Sequence, residues 1–241
     1  MISIVIPNYN SANLLEKNLP ALIKLLEKSK LAFEIIVSDD CSSDGSVEML
    51  KKFQHDNFKF QISNFKFILS QENVGFAGNV DRGIRSARGE IVFTIKTDAL
   101  PKSPDYFQLM LDHFRHPGAP LSGAIGSSPV FAVSAALETM ENGKKETRGQ
   151  GILIFHRGFF LHFRTYDDYK KWLQTMRTTR NKTISNFKFQ ISNSSAWSDG
   201  SASAFRKDLY LKLGGFDSLY NPFYWEDVDL GYRAWKAGYQ I

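Results

Sequence analysis

The stretch Ile2-Ser3-Ile4-Val5-Ile6-Pro7-Asn8-Tyr9-Asn10 indicates how this chain of 241 residues folds. Its first five residues are apolar or small and rich in β-branched side chains, the pattern of a short buried strand. Pro7 closes this pattern, and three polar side chains follow at once. The stretch therefore predicts a buried strand with a polar cluster, Asn8-Tyr9-Asn10, at its carboxyl end.

Further strands alternate with helical patterns along the first 105 residues. Leucines recur at helical spacing to about Lys28, after Asn13 and Glu16, which resemble a capping box. The predicted strands are Phe33–Val37, Phe65–Leu69 and Glu90–Ile95, and the later helices are Ser46–Phe53 and Ala77–Ala87. Strands that alternate with helices are typical of a mostly parallel sheet with right-handed crossovers. We therefore predict an α/β fold with helices flanking a Rossmann-like sheet.

Polar clusters follow three of the predicted strands: Asn8-Tyr9-Asn10, Asp39-Asp40 and Thr97-Asp98. In a parallel sheet the carboxyl ends of the strands share one edge, where open α/β sheets bind their ligands. Each cluster alone could serve only to turn the chain. Their joint occurrence predicts a ligand crevice at that edge.

The second half of the chain has a less regular pattern. We predict helices at Tyr106–His116 and Asp167–Thr179, a strand within Gly123–Val133 and a charged loop at Glu138–Gln150. One domain, 1–241, is expected, with a nucleotide-binding half at 1–105 and an acceptor-side half at 106–241. The octapeptide Asn57–Asn64 recurs letter for letter as Asn186–Asn193, and its alternating apolar residues suggest strands inserted into surface loops.

Composition excludes several classes of protein. The net charge of +5 favours anionic ligands, and it is compatible with peripheral contact with an anionic membrane surface, but no dense basic stripe indicates nucleic-acid binding. The single cysteine, Cys41, excludes an intramolecular disulfide framework. The chain opens without a signal-peptide pattern, and no stretch is apolar enough to span a bilayer. We therefore expect a cytoplasmic protein.

Three carboxylates lie close together near the end of the chain, in the stretch Phe223–Leu230. Glu226 and Asp227 adjoin aromatic residues, which can raise the pKa of a carboxyl group and fit it to accept a proton from an alcohol. The alternative is that both acids simply favour a helix N-terminus. Asp229 is placed to pair with Arg233 at the i,i+4 spacing.

Five ordered motifs closely resemble those of the family-2 glycosyltransferases, with the nearest likeness to their rhamnosyltransferase-like branch. The motifs are Val5–Asn10, Ile36–Ser46, Glu72–Ala77, Gly89–Phe93 and the pair Gly214–Asp217 with Glu226–Leu230. The resemblance implies a glycosyltransferase-A fold and inverting transfer of a sugar, of rhamnosyl or hexosyl type, from a UDP-, dTDP- or GDP-sugar. The implied acceptor is a hydroxyl of a glycan or lipid-linked glycan in bacterial cell-surface polysaccharide synthesis. It also implies a further strand after Ile241.

The resemblance also assigns roles to residues that bind the donor. Pro7 and Asp40 are implied to line the uracil or thymine pocket, where a carboxylate can accept the imide N–H hydrogen bond; an Asx-turn that holds the loop is an alternative or additional role for Asp40. The matching motifs place Tyr9, Asn10, Asn73, Gly75 and Thr97 around the nucleotide-sugar. Arg82 is a candidate to offset donor charge, or else it covers a solvated helix face.

The metal motif of the family is only partly present. Of its two acids, Asp98 is retained and Lys96 replaces the other, so Asp98 is implied to bind Mg²⁺ or Mn²⁺ together with the diphosphate. Lys96 could instead pair with Asp98 or contact the donor.

On the acceptor side, Asp227 matches the catalytic base and Glu226 lies beside it. Gly214-Gly215 allows either close backbone approach to substrate or a helix C-cap. Three aromatic residues, Trp197, Tyr224 and Trp225, could stack on sugar rings or belong to the core. A nucleotidyltransferase is disfavoured, because Asn8–Ser11 stands where its glycine-rich loop would be. The remaining alternative is a catalytically impaired nucleotide-sugar-binding or scaffold protein of the same fold.

Overall fold

The structure, a computed structural model, describes most of the first half of the chain and a smaller part of the second. The described residues are 1–59, 64–115, 129–141, 144–148, 152–156, 159–163, 170–172, 174–175, 197–198, 200–221 and 224–241. The helices are α1 (Ala12–Ser29), α2 (Ser46–Lys59), α3 (Gly75–Ser86), α4 (Asp105–Arg115), α5 (Lys207–Lys212) and α6 (Glu226–Lys236), with a 3₁₀ turn at Ser218–Tyr220. The strands are β1 (Ile2–Asn8), β2 (Phe33–Asp39), β3 (Phe65–Leu69), β4 (Ile91–Ile95), β5 (Ala132–Ser134), β6 (Leu137–Glu141), β7 (Lys144–Arg148), β8 (Ile152–His156), β9 (Phe159–Phe163) and β10 (Ala202–Arg206).

A six-stranded sheet in the order β3-β2-β1-β4-β10-β5 forms the centre of the fold. The first four strands are parallel, and β10 runs antiparallel to both β4 and β5. The predicted α/β class with a mostly parallel sheet is confirmed. β1 lies between β2 and β4, so every residue from Ile2 to Asn8 is buried.

Helices cover both faces of the sheet, and the side-chain alternation of β1 separates two apolar cores. Ile4 and Ile6 pack with Leu19 of α1 and Phe107 of α4 on one face. Val5 packs on the other face, in a core that α3 and α6 complete with Val80, Ile84, Leu230 and Ala234. Because both faces are covered, β1 is a continuous apolar run rather than an alternation of polar and apolar residues.

Two details of the predicted elements are corrected. β1 continues through Pro7 to Asn8; Pro7 pairs with Ser38 of β2, while pairing with β4 ends at Val5, so no hydrogen bond to β4 is needed there. The predicted capping box at Asn13 and Glu16 is wrong. The first turn of α1 is capped from a distant loop, since the Ala12 N–H donates to Asp44 Oδ2 at 2.8 Å.

The predicted charged loop at Glu138–Gln150 is wrong over most of its length, because β6 and β7 form an antiparallel pair there. The sequence signal that we missed is Asn142-Gly143, a dipeptide typical of two-residue hairpin turns. The register pairs Glu141 with Lys144 next to this dipeptide.

The first copy of the repeated octapeptide begins inside a helix, not in a strand. Residues Asn57–Lys59 are the last residues of α2, and Asn64 precedes β3, its carbonyl accepting a hydrogen bond from the Ile35 N–H at 2.8 Å. The second copy, at 186–193, lies outside the described residues, as do 123–128 of the predicted strand and most of the predicted helix 167–179.

Among the helices that the structure describes, none combines the length and the apolar character needed to cross a lipid bilayer.

Candidate functional site

The polar clusters after β1 and β2 meet at one edge of the sheet, as predicted. Asn8 Nδ2 donates to Asp39 Oδ2 at 2.7 Å and lies 3.2 Å from Ser42 Oγ. The Asp40 N–H donates to the Asn8 carbonyl at 2.9 Å. Asn8, Asp39 and Asp40 are all buried. The strand ends therefore hold two adjacent carboxyl groups in fixed positions, and we name this border of the sheet the carboxyl edge.

The loop after β1 is clamped onto the loop after β2. Asn10 adopts a positive φ of 48°, and its backbone N–H donates to Ser42 Oγ at 2.9 Å. Asn10 Oδ1 accepts a hydrogen bond from the Ser43 N–H at 2.8 Å. Tyr9 lies between them and is 53% exposed, whereas Pro7 is buried. Of the three residues predicted to bind a ligand in this loop, Pro7 is thus buried, whereas Tyr9 and Asn10 are exposed.

Asp40 links the end of β2 to the start of α3. Its Oδ1 accepts a hydrogen bond from the Val74 N–H at 3.0 Å and lies 3.8 Å from Arg82 Nη2. Asp39 rather than Asp40 binds the loop that follows β2, since Asp39 Oδ1 accepts from the Ser42 N–H at 3.0 Å. The neighbouring acids therefore divide the two tasks: Asp39 holds the loop and Asp40 faces α3.

Arg82 lies against the end of the sheet, so the solvated-face alternative is wrong. Its Nη2 donates to the Asp39 carbonyl at 3.0 Å and to Asn79 Oδ1 at 2.8 Å, and its Nε lies 3.3 Å from Ser38 Oγ. The guanidinium places a positive charge 3.8 Å from the buried carboxyl group of Asp40. It thereby offsets part of the cost of burying that group.

The start of α3 is built by a local turn. Asn73 Oδ1 accepts a hydrogen bond from the Gly75 N–H at 3.0 Å, and Gly75 has a φ of 76°, which glycine adopts without strain. Four residues into the helix, Asn79 Nδ2 donates to the Asn8 carbonyl at 3.1 Å. Asn73 and Gly75 thus direct the N-terminus of α3 toward the carboxyl edge, where its backbone N–H groups favour an anion.

The segment after β4 contains the third predicted polar cluster, Thr97-Asp98. The Thr97 carbonyl accepts a hydrogen bond from Asn18 Nδ2 at 2.8 Å, and the Ala99 N–H donates to the Lys96 carbonyl at 3.0 Å, which turns the chain at Asp98. Asp98 is exposed. Lys96 Nζ lies 5.7 Å from the centre of the Phe76 ring, and within the described ranges no ion pair joins it to Asp98.

Asp98 supplies one oxygen donor for a metal, and the described residues contain no group of three His, Cys, Asp or Glu side chains that would form a preformed site. An exposed carboxylate fits a hard cation that brings most of its ligands with it, as Mg²⁺ does when bound to a diphosphate. The donor set of Asp98 therefore suits an ion that arrives with a nucleotide rather than one bound permanently.

The predicted catalytic pair begins α6. Glu226 is buried, with 6% of its surface exposed, and Asp227 is half-buried and accepts a hydrogen bond from the Val228 N–H at 2.8 Å. The predicted pair of Asp229 and Arg233 is confirmed, since Arg233 Nε donates to Asp229 Oδ2 at 2.8 Å. Glu226 and Asp227 occupy the first turn of α6, where the helix dipole also favours negative charge.

Backbone contacts place the end of α6 at the border of the sheet where the parallel strands begin. Gln240, just past α6, accepts a hydrogen bond from the Phe131 N–H at 2.8 Å. The Phe131 carbonyl accepts from Arg206 N at 2.8 Å, and Arg206 pairs with Ile91, the first residue of β4. An 11-residue helix is about 16 Å long, which is also about the length of a five-residue strand. A helix that ends at this border is therefore long enough to reach the carboxyl edge.

The Gly214-Gly215 pair ends α5, which confirms its role as a helix C-cap. Gly215 N–H donates to the Tyr210 carbonyl at 3.0 Å, and the two glycines have φ values of 91° and 76°. The close approach of Gly215 is to protein, because a Cβ on it would lie 2.2 Å from Asp81 Oδ1. Its carbonyl accepts from Arg233 Nη2 at 2.8 Å, so the turn holds α6 against α3.

The three aromatic candidates have different surroundings. Trp197 is 9% exposed and belongs to the interior, whereas Tyr224 and Trp225 are 70% and 46% exposed beside Glu226. Sequence reasoning gave no site role to Asn18, Ser42 or Asn79, and named Asp39 without one. The signal available was position only: each lies within a few residues of a strand end or on a helix that faces one.

Solved structures with the same fold are glycosyltransferases. A mannosyltransferase from Pyrobaculum calidifontis, solved with GDP-Man and Mn²⁺, matches 99% of this chain and 53% of its own chain, with a TM-score of 0.60 and 20% identity. GalNAc-T7, solved with UDP, GalNAc and Mn²⁺, matches 100% of this chain and 41% of its own, with a TM-score of 0.63 and 16% identity. These likenesses confirm the glycosyltransferase-A fold.

Sequence relatives agree with the fold. An uncharacterised glycosyltransferase of Bacillus subtilis, YfnE, is 36% identical over 98 residues, which are 41% of this chain and 23% of the relative. The chain thus aligns with about a quarter of the length of such curated relatives. The model of the family described as "Glycosyl transferase family 2" matches residues 3–189, more than three quarters of the chain. The chain therefore belongs to glycosyl transferase family 2.

Proposed function

We propose that this chain transfers a sugar, with inversion, from a nucleotide-diphospho-sugar to a hydroxyl of a glycan or glycolipid in cell-surface polysaccharide synthesis. The observation that carries this proposal is the carboxyl edge, where Asp40 and Arg82 are fixed beside the N-terminus of α3. In this proposal the start of α6, with Glu226 and Asp227, faces the same border. Charged groups that are held in fixed positions, as Asp40 and Arg82 are, suit the binding of a charged donor.

The donor half of the site suits a nucleoside diphosphate. Asp40 is 2% exposed and uses Oδ1 for Val74, an arrangement that supports its proposed role as the acceptor for the N–H of a uracil, thymine or guanine ring. Pro7, Tyr9 and Asn10 border the base and ribose in this proposal. The N-terminal turn of α3, with Asn73 and Gly75, faces the diphosphate, where partial positive charge stabilises the anion.

A divalent cation fits this arrangement if it enters with the donor. Asp98 would hold Mg²⁺ or Mn²⁺ next to Thr97, and the ion would offset the charge that develops on the departing diphosphate. Both structural neighbours described above were solved with Mn²⁺. Lys96 supplies a further positive charge in the same segment.

The acceptor half supplies the base. In a single displacement the acceptor oxygen bonds to the anomeric carbon as the bond from that carbon to the diphosphate oxygen breaks, which inverts the configuration. Asp227 takes the hydroxyl proton, because a half-buried carboxylate within reach of the acceptor can accept it as the oxygen attacks. Glu226 lies beside Asp227, and Asp229 holds the helix through Arg233.

The chemistry of the donor and acceptor is consistent with action in the cytoplasm, at the inner face of a membrane that carries a lipid-linked glycan. The net charge of +5 supports contact with an anionic surface.

A second candidate is a binding or scaffold protein of the same fold that does not turn over its donor. The observation that favours it is Lys96, which stands where the family motif has an acid and leaves Asp98 as the single carboxylate of that segment.

The experiment that separates the two incubates purified protein with UDP-, dTDP- and GDP-sugars and Mn²⁺, then with EDTA, and measures the released nucleoside diphosphate. We expect release with at least one donor. We expect Asp227→Asn to lower the rate about 10²- to 10⁴-fold, the usual contribution of a general base. Asp208→Asn is the matched control, since Asp208 is an exposed acid in the first turn of α5. Donor binding without release beyond that of Asp227→Asn would favour the scaffold.

A further inference from the structure

Two arginines on different helices bind the same short turn at the end of α5. Arg85, in the last turn of α3, donates from Nη2 to the Gly214 carbonyl at 3.2 Å. Arg233, in the last turn of α6, donates from its two terminal nitrogens to the carbonyls of Leu213 and Gly215, the latter at 2.8 Å. Three consecutive carbonyl oxygens thus accept hydrogen bonds from arginine side chains. We name Leu213-Gly214-Gly215 the arginine-bound turn.

Each arginine is oriented by an acid one turn earlier on its own helix. Arg85 Nε donates to Asp81 Oδ2 at 2.6 Å, and Arg233 Nε donates to Asp229 Oδ2 at 2.8 Å. Both pairs have the i,i+4 spacing, which by itself contributes little to stability at a surface. A guanidinium bound to an acid through Nε can still donate from its terminal nitrogens to other acceptors. The two acids therefore direct both guanidinium groups toward the arginine-bound turn.

The arginine-bound turn is also held from the side of the core. A Cβ on Gly215 would lie 2.2 Å from Asp81 Oδ1 and 2.9 Å from Tyr210 Cε1, so the turn packs closely against α3. The N–H of Phe216, the next residue, donates to Tyr210 Oη at 3.1 Å, and Tyr210 is fully buried. The turn is therefore a fixed connection between α3 and α6.

This connection lies at the ends of α3 and α6 that are remote from the proposed chemistry. Arg85 follows Gly75, at the start of α3, by ten residues, which is about 15 Å along a helix. Soon after α3 ends, the Gly89 N–H donates to Ser3 Oγ near the start of β1, at the border of the sheet where α6 also ends. The two helices share one apolar core. Because close-packed elements transmit small shifts, fixing two helices at one end limits movement at their other ends.

We propose that Arg85 and Arg233 are positioning residues for sugar transfer, which fix the base Asp227 relative to the donor through the arginine-bound turn. The inference rests on the proposed function, because it takes the role of Asp227 and the place of the donor from there. It adds two residues that touch neither substrate but on which the rate depends. A misplacement of about 1 Å, even from a change far from the reacting atoms, can lower a rate about 10²-fold.

Arg88 supplies a matched control for loss of an arginine. Its side chain is 62% exposed, similar to the 51% of Arg85, and its Nε donates to Glu34 Oε2 at 3.0 Å. Arg88→Ala therefore also removes an exposed arginine that is bound to an acid. The described contacts of Arg88 tie it to the start of β2 and not to the arginine-bound turn.

The test measures release of nucleoside diphosphate from the donor that the wild-type protein turns over, with water or an added nitrophenyl pyranoside as the acceptor. We expect Arg233→Ala to lower kcat about 10- to 10²-fold, and Arg85→Ala to lower it less, because Arg85 binds one carbonyl and Arg233 two. The donor Kd from calorimetric titration should stay within about twofold of wild type. Arg88→Ala should lower the unfolding temperature and leave kcat and donor Kd unchanged.

A second measurement separates positioning of the base from a general structural role. The position of residue 227 matters for proton transfer only while it carries the base. In an Asp227→Asn background we therefore expect Arg233→Ala to lower the residual rate by no more than about twofold. A loss of activity through general loosening of the fold would instead have the same size in both backgrounds.

An unchanged kcat in both Arg85→Ala and Arg233→Ala would overturn the inference. So would an equal fall in kcat in Arg88→Ala, a parallel loss of donor affinity, or an undiminished effect of Arg233→Ala in the Asp227→Asn background. If Arg233→Ala does not fold, Arg85→Ala decides the same question, because its side chain is half exposed and its removal leaves the core intact. Absence of any release by the wild-type protein would refute the proposed function itself.

Discussion

Strand β2 carries buried carboxyl groups at both of its ends, and the two ends differ in what surrounds these groups. At its start, Glu34 accepts hydrogen bonds from Ser3 Oγ at 2.6 Å and from Arg88, through the backbone N–H at 2.5 Å and through Nε at 3.0 Å. Lys66 Nζ lies 3.8 Å from Glu34 Oε2. We name Ser3, Glu34, Lys66, Arg88 and Gly89 the Glu34 cluster. A Cβ on Gly89 would lie 2.8 Å from Ser3 N, so the backbone is closely packed there.

At the other end of β2, Asp39 and Asp40 are equally buried but border exposed residues, among them Tyr9 and Cys41. Their partners are mainly neutral amides, and one arginine lies 3.8 Å from Asp40. The comparison teaches that burial of a carboxyl group does not by itself indicate function. The difference lies in the partners: two cations lie beside Glu34, whereas mainly neutral groups hold Asp39 and Asp40.

The largest effect on stability should come from Glu34, at the start of β2. Glu34→Gln replaces an acceptor oxygen by an amide NH₂ that faces other donors, so we expect the free energy of unfolding to fall by about 2–3 kcal/mol. Chemical denaturation measures this loss, and donor affinity at moderate temperature should stay unchanged. A matched change in donor affinity would contradict the assignment of Glu34 to structure alone.

The pH dependence of stability should report the same group. Burial acts to raise the pKa of Glu34, but hydrogen bonds from Ser3 and Arg88 and the charge of Lys66 outweigh it and hold the pKa below its ordinary value of 4.5. The unfolded chain therefore binds the proton more tightly, and the stabilisation is complete above about pH 4.5 and lost as the pH falls through the lowered pKa. Denaturation curves between pH 3 and 7 should show this loss in wild type and less of it in Glu34→Gln.

At the other end of β2, a change at Asp40 should affect donor affinity more than stability. Asp40→Asn keeps an oxygen that can accept from the Val74 N–H but removes the charge beside Arg82 and the carboxylate that we propose as the acceptor for the base of the donor. We expect donor affinity to fall roughly tenfold, about 1.4 kcal/mol, with a smaller change in stability. Calorimetric titration with the donor measures the first quantity and thermal unfolding the second. A large loss of stability with unchanged donor affinity would instead indicate that Asp40, like Glu34, serves only the structure.

The smallest effect on stability is expected at Asp44, in the loop after β2. Asp44 joins two helix starts, since its Oδ2 accepts from the Ala12 N–H at 2.8 Å and its Oδ1 from the Ser46 N–H at 3.1 Å. Asp44→Ala should cost about 1 kcal/mol of unfolding free energy, the usual value of a helix cap. Asp44→Asn retains the acceptor and should cost less. Equal losses in both variants would indicate that charge, not capping, is the main contribution.

The helices and parallel strands of the first half could be predicted because their signals are local. β3 has the predicted bounds, and α1, α2, α3, β2 and β4 begin within two residues of prediction. What failed depended on partners distant in the chain. Asp44 caps α1 where a local capping box was predicted, and Asp39 rather than Asp40 binds the loop after β2. Arg82 donates to a carbonyl of β2 where a solvated helix face was one alternative. The hairpin β6-β7 had a local signal, Asn142-Gly143, that a reading by charge overlooked.

The order of strands and helices, and the placement of polar residues at strand ends, were determined by the sequence itself, because apolar periodicity and turn residues act over a few positions. Which buried carboxyl group lies between two cations and which is held mainly by neutral groups was decided only by the tertiary structure. That difference depends on residues about 30 to 50 positions away, such as Ser3 and Arg88 for Glu34 and Val74 and Arg82 for Asp40. Hydrogen bonds of this kind form after the chain has packed, so no local pattern encodes them.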